Sequence, residues 1–408
     1  MWLPYGASEI PARLPAERLL EILRPDVPSP TEDYLAMARR ALESNDALVA
    51  AAKESRRICV ALGSCGKSDL TLSLTQTVLE FLAHVSPNPI VILQTPDSAS
   101  VGQNAFSSTE IMQHNPSSSS MAALPAKTTF PIQLNSSLLN ADLKIAVGEL
   151  KPSQLLKFEG LTDTLLPGLA SVGTIKKHLT DRVGLKLDDL YKERVEIGNS
   201  VPNLFILGYT IPDGLNPADF ACGTFAQCLP ILEKSVQQKF TKIFTKKADI
   251  VVMGAGGNPT DSSLSKAIET LPAGLSALKK NGSLILAAEC ENGHGDGEFY
   301  EWSAEGKEAR YLEARVHRRL NYNGFKASLL RRAVDSHRIY LVSTMPDHYV
   351  ESVFKMRASR SISAALQTVQ RVQGADSSIS VMPNGSRIIT EFIEPSKPDQ
   401  TPAHLPSI

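Results

Sequence analysis

Apolar residues recur along the chain in two registers: short continuous runs closed by glycine or polar residues, and longer stretches with apolar positions three and four apart. LPAERLLEILRP and EDYLAMARRALESNDALVAAAKES carry the second spacing and predict helices, the latter behind a boundary set by Pro28 and Pro30. RRICVALG predicts a strand ending in glycine, and SDLTLSLTQTVLEFLAHV a long amphipathic helix capped by Ser68 or Asp69. PIVILQT then reads as a second buried strand, completing a βαβ unit. From Asp97 to Leu124 the chain turns polar and serine-rich, which predicts a surface loop with no packed element of its own. ADLKIAVGEL restores a strand signal, and KFEGLTDTLLPGLASVGTIKKHL is a glycine-punctuated segment leading into a short helix.

A second series begins near residue 245. KADIVVMGAGG, GSLILAAE, HRIYLVS and SSISVMP read as strands, with helices predicted in DSSLSKAIETLPAGLSAL, GFKASLLRRAV and SISAALQTVQRV between them. Such alternation predicts an α/β protein of two α/β domains, each with a mainly parallel, helix-covered sheet, and a cleft between them. The division is expected in the helix-like segment near residues 229 to 246, giving domains at 1–240 and 241–393 and a proline-rich tail at 394–408. No internal repeat stands out.

A length of 408 residues agrees with two cores. The 42 basic and 43 acidic residues nearly cancel, so no global field draws the chain to nucleic acid or an anionic membrane. No apolar run approaches the roughly 20 residues that span a bilayer, and the opening MWLPYGASEIPARLP has no basic segment followed by an apolar one, so a cytoplasmic location is expected. The five cysteines are scattered, which predicts reduced thiols, several of them buried, and neither a disulfide scaffold nor a zinc knuckle.

Three groups of residues could carry chemistry. Ala61 to Ser68 (ALGSCGKS) follows a strand and precedes a helix, as a phosphate-binding loop does, with Lys67 as its point charge. Its leading glycine is replaced by Ala61, and ordinary chain reversal explains the glycines equally well. His114, His178 and His294 are candidate ligands or bases, but no two of them have helical i, i+4 spacing, which leaves hydrogen-bonding roles open to each. The loops Gly254–Pro259, with Gly256 and Gly257, and Ala288–Gly295 follow strands where open α/β sheets place ligands, though turn chemistry alone also accounts for them.

These loops also carry a resemblance. ADIVVMGAGGNPTDSSLSKAIETL, GSLILAAECENGHGDGEFYEW and GADSSISVMPNGS resemble the C-terminal domain of the nickel-pincer lactate racemases. LPYG, VALGSCGKSD and GELKPSQLLKFEGLTDTLLPG follow the family's order upstream, so the resemblance covers nearly the whole chain. It implies paired α/β domains around an active-site cleft and a nickel-bearing pyridinium mononucleotide tethered through a lysine, with a histidine on the metal. The implied reaction is racemisation or epimerisation of a small 2-hydroxy acid, by reversible hydride transfer between the substrate and the cofactor ring while one of two histidines takes the hydroxyl proton.

Position by position, the resemblance implies departures. Ser153 stands where the family has a catalytic histidine, and Asp163 where it has the tethering lysine. The family's glycine pairs are thinned to KFEGLTD. Ser64 and Lys67 match the aspartate and arginine of its substrate-binding loop, and Lys266 and Glu269 match its glutamine and lysine. CGTFAQCLPILE lacks the family's alanine-histidine pair. His114 corresponds to a retained base, and His178 falls near the nickel-ligand histidine with one residue deleted from the spacing. Lys151 and Lys157 lie close enough in sequence to be substitute tethers.

Three functions follow as alternatives. The chain is a divergent racemase holding the nickel-pincer nucleotide; or a noncatalytic, repurposed protein with no such cofactor, taking a small molecule or anion in the interdomain cleft; or a phosphate-loop nucleotidase. In each, the expected partner is a small molecule.

Overall fold

In the computed structural model the described residues are 1–25, 33–63, 68–86, 88–96, 98, 106, 109–118, 120–126, 128–214 and 216–394. Pro28, Pro30, Ser64, Cys65, Lys67 and residues 395–408 lie outside them. Two sheets dominate. The first runs, in spatial order, Asp219–Gly223, Leu204–Thr210, Leu143–Ser153, Ile58–Leu62, Ile90–Gln94 and Glu110–Gln113. All neighbours pair in parallel except the first strand, and Lys157–Gly160 folds back antiparallel on the end of Leu143–Ser153. The second runs Arg357–Ser359, Arg338–Val342, Leu278–Ala287, Ala248–Gly254, Ile379–Met382 and Leu19–Ile22, parallel throughout.

Alternation of side chains gives each sheet two buried faces. Cys59, Ala61 and Leu93 enter one core, while Ile58, Val60, Leu62 and Ile92 enter the core on the opposite face. In the second sheet Val251, Met253, Leu284 and Leu286 face one core and Ile250, Val252 and Ile285 the other. Burial on both faces is why these strands read as unbroken apolar runs. The expected α/β architecture with helix-covered, mainly parallel sheets is therefore observed.

Local expectations failed where tertiary pairing competes with propensity. LPAERLLEILRP is not a helix: Ala16–Arg18 make one 3-10 turn and Leu19–Ile22 form the edge strand beside Ile379–Met382. The open edge of that strand supplies backbone partners, such as the Val381 carbonyl for Leu23 N–H at 2.7 Å, which outweigh a weak helical preference. The opening residues thus join the second sheet although sequence order groups them with the first. The predicted helix after Pro30 divides into Tyr34–Glu43 and Asp46–Glu54, because the Asn45 side chain caps Leu48 N–H at 2.8 Å. The polar stretch before Leu124 does hold packed elements: Glu110–Gln113 extends the first sheet, and Met121–Ala123 pairs with Gln133–Asn135. An edge strand needs few apolar residues, and Ile111 and Met112 suffice. The helix predicted after Asp261 forms as a nearly continuous helical run, Leu264–Ala267 and Leu271–Ser276 joined by the 3-10 turn Ile268–Thr270, with Pro272 accommodated in the first turn of the later helix.

The two halves are tied directly. Thr180–Arg182 of the first half pairs with Leu320–Asn321 of the second. Leu155, Leu156 and Leu190 pack into the second half's core. The Gln154 amide donates to the Ile388 carbonyl at 2.6 Å. At the centre Arg387 grips Glu149 through both carboxylate oxygens, with Nη2 to Oε2 at 2.9 Å, while its Nη1 also donates to the Ile211 carbonyl at 2.8 Å. The Glu149 side chain is 2% exposed, so removing one partner strands a buried charge. Arg387→Met is expected to cost about 3–5 kcal/mol in urea unfolding, and pairing it with Glu149→Met to recover part of that loss; equal destabilisation by the single and double variants would show that the buried pair is not what holds this junction.

Candidate functional site

Both sheets reverse strand order at a central strand, Ile58–Leu62 in one and Ala248–Gly254 in the other. Such switch points open crevices at the carboxyl ends of parallel strands. Residues following those ends, among them Thr95, Thr260 and Ser386, line a cavity of about 210 Å³ between the halves. The first half contributes Lys151, Ser153, Glu159, Asp163 and Arg194, and the second Lys266, Glu269 and Tyr322.

The strand hairpin explains the first-half charges. Lys151 and Glu159 lie directly opposite each other in the ladder and form an ion pair at 3.0 Å. Burial disfavours the Lys151 charge, but the facing Glu159 more than compensates and its pKa is raised. At the end of the fold-back strand, Gly160 has φ +97°, and a Cβ there would sit 2.2 Å from the Glu149 carbonyl oxygen, so the turn requires glycine. Gly160 N–H donates to Asp163 at 3.0 Å and the Thr162 hydroxyl donates at 3.2 Å, fixing the carboxylate at the cavity wall.

Asp163 begins a chain of buried charge. Arg194, on the helix Leu187–Ser200, donates from Nη1 to Asp163 at 2.5 Å and from Nε to His178 Nε2 at 3.1 Å. His178 Nδ1 meets Glu193 at 2.6 Å, and Glu193 also accepts from Arg182 at 2.9 and 3.2 Å and from Thr129 at 2.8 Å. Because Arg194 can only donate, Nε2 must accept, which places the imidazole proton on Nδ1 and leaves the ring neutral. Burial pushes the His178 pKa down to about 4 despite the Glu193 hydrogen bond. Burial pushes Glu193 up, but the bonds from His178, Arg182 and Thr129 win and hold it at about 2. Burial raises the Asp163 pKa against the pull of Arg194.

The remaining candidates are dispersed. His114 is buried away from the cavity lining, with Nε2 3.1 Å from the Ala170 carbonyl and Nδ1 3.1 Å from the Asn135 amide, and burial lowers its pKa. Ser153 lines the cavity, and its hydroxyl accepts Leu156 N–H at 3.2 Å. Lys157 points outward, 55% exposed and 3.9 Å from Glu233. Gly256 and Gly257 serve packing: a Cβ on Gly256 would lie 2.5 Å from Ser386 Oγ, and one on Gly257 3.1 Å from the Gly6 carbonyl. His294 packs on Tyr300, with ring centroids 4.8 Å apart. Lys266 and Glu269 do reach the cavity, and Glu269 pairs with Lys326 at 3.0 Å. Burial and the nearby Glu269 raise the Tyr322 pKa. Ser64 and Lys67 fall outside the described residues.

Cys59, Cys228 and Cys290 are buried and Cys222 half-buried, all four as free thiols. Among the described residues no helix is long and apolar enough to cross a membrane.

Arg194, Glu159, Lys326, Tyr322 and the Glu149–Arg387 pair were not foreseen. The one available signal was Asp163 itself, since an acidic residue in an apolar loop calls for a cation without saying which one.

Two mainly parallel, helix-covered sheets with a cavity between them that several charged side chains line define a two-domain α/β protein with an interdomain site. The family is shown by comparison: the lactate racemase N-terminal domain matches residues 5–183 and the lactate racemase C-terminal domain residues 243–390, so the chain belongs to the lactate racemase family. It is 25% identical to the lactate racemase of Thermoanaerobacterium thermosaccharolyticum, over 95% of this chain and 98% of that one. To the lactate racemase of Lactiplantibacillus plantarum it is 22% identical, over 63% and 64% of the two chains. The fold matches the lactate racemase apoprotein structure from T. thermosaccharolyticum with a TM-score of 0.78 at 23% identity, covering 96% of this chain and 99% of that one. A Thermotoga maritima protein matches with a TM-score of 0.65 at 13% identity, over 88% and 98%.

The residues here do not fit a lysine-tethered nickel nucleotide. The position expected to hold the tethering amine is a carboxylate committed to Arg194, and the His178 lone pair that a metal would need is directed at Arg194.

Two stability predictions follow from the buried chain. His178 binds its proton less readily folded than unfolded, so its contribution is complete above about pH 6.5 and is lost as pH falls to about 4. The loss is expected to reach about 3 kcal/mol, and His178→Gln should flatten that part of the urea stability profile relative to the parent; superimposable slopes would show that His178 is not the group titrating. Asp163→Lys should destabilise by about 3 kcal/mol or more, because it sets a second buried cation against Arg194. An unchanged unfolding midpoint would contradict the pairing.

Proposed function

We propose that this protein is a noncatalytic, repurposed member of the lactate racemase family that binds a small anionic molecule in the cleft without a nickel-pincer nucleotide. The arrangement of Asp163, Arg194 and His178 carries this reading. A carboxylate at the tether position could have been bypassed by another lysine, but Lys157 faces outward and Lys151 is held by Glu159. Engagement of His178 by Arg194 further removes the ligand expected for the metal. Ser153 adds a third obstacle, since its hydroxyl is far too weakly basic to take a proton from a substrate.

The relatives named lactate racemase keep racemisation as the competing reading, and metal content separates the two. The full chain would be produced together with a complete pincer-cofactor maturation system, then assayed for nickel and for intact mass. Nickel far below equimolar, no added mass and no interconversion of lactate enantiomers are expected. Near-equimolar nickel with an added nucleotide mass would overturn the proposal.

A further inference from the structure

Arg194 is a buried cation with one edge uncommitted. Its side chain is 4% exposed, and its plane is fixed from two directions by Asp163 on Nη1 and His178 on Nε. Nη2 donates to no acceptor among the described residues, while the residue lines the cavity. A guanidinium held in this way has already lost its conformational freedom, so a ligand gains its hydrogen bonds without ordering a flexible side chain.

The second half brings Lys266 to the same cavity, from the short helix Leu264–Ala267. Lys266 has a partner within the protein, so a ligand there exchanges one partner for another. Three carboxylates, Glu159, Asp163 and Glu269, also line the space. They repel a compact, highly charged anion more than one whose charges are separated and placed against the two cations.

We propose that the cleft takes a small dicarboxylate, one carboxylate on Arg194 Nη2 and the other on Lys266, bridging the two halves of the protein. The proposal rests on the reading of the cleft as an anion-binding site without the tethered nucleotide. It adds a ligand class and the residue that selects it. A single-carboxylate ligand would leave one of the cations without a ligand contact, and a phosphate would concentrate its charge among the acidic side chains.

The test is titration calorimetry on the full, cofactor-free chain with succinate, malonate, acetate and inorganic phosphate. One dicarboxylate is expected to bind at least about tenfold more tightly than acetate and phosphate, and both Arg194→Lys and Lys266→Gln to weaken it by about tenfold or more. Phosphate or acetate binding as tightly as the tighter-binding dicarboxylate, or Lys266→Gln leaving the affinity for that dicarboxylate unchanged, would overturn it. Absence of heat for both dicarboxylates would do the same. Should Arg194→Lys fail to fold, the ligand ranking and Lys266→Gln decide. Nickel content and intact mass of cofactor-loaded preparations report separately on the underlying reading, so the two can fail independently.

Discussion

The site is organised around the Arg194 guanidinium. A cation taken out of water needs more than one acceptor to offset its desolvation, and Arg194 finds a carboxylate at Asp163 and a ring nitrogen at His178. Each of those partners is in turn held by others: Asp163 by the Gly160 backbone, His178 by Glu193, and Glu193 by Arg182 and Thr129. Arg182 lies over the Phe130 ring, which anchors the far end of the chain. Apart from the Arg194 Nη2 edge, the network is satisfied, and it resists change at any one member because each single loss leaves a polar group without its partner.

This network depends on the frame around it. The Leu143–Ser153 strand runs past its neighbours and carries Lys151 and Ser153 to the cavity wall, with Glu149 two positions before them in the strand, while the fold-back strand sets Glu159 opposite Lys151. The second half reaches the same place through residues following its own central strands. Neither half alone closes the cavity. The Glu149–Arg387 pair and the shared apolar packing of Leu155 and Leu156 hold the walls together, so the geometry at Arg194 is set by contacts between the halves as well as within one.

The strands were legible because both faces of each sheet are buried, and VALG, ILQT, IVVMG and LILAA say so without ambiguity. What was not legible depended on partners distant in sequence. Leu19–Ile22 becomes a strand only because Ile379–Met382 leaves an edge open, and nothing in LPAERLLEILRP records that. The site divides in the same way. Ser153 and Asp163 were candidates by resemblance, whereas Arg194 lies thirty-one positions from Asp163 and sixteen from His178 and shares no motif with either. Family position also gave His114 a role as a base, yet its two ring nitrogens bond to Ala170 and Asn135 outside the cavity lining.

Asp163, Arg194 and His178 are coupled physically. An aspartate at position 163 would be an isolated buried charge without Arg194, and Arg194 beside a lysine at that position would be a repelled one. Once the pair is in place, the guanidinium takes the His178 lone pair, and the imidazole cannot accept from Arg194 and bind a metal through the same nitrogen. A cation at position 163 would therefore call for a change at Arg194 as well, and only the loss of Arg194 would release the His178 ring nitrogen.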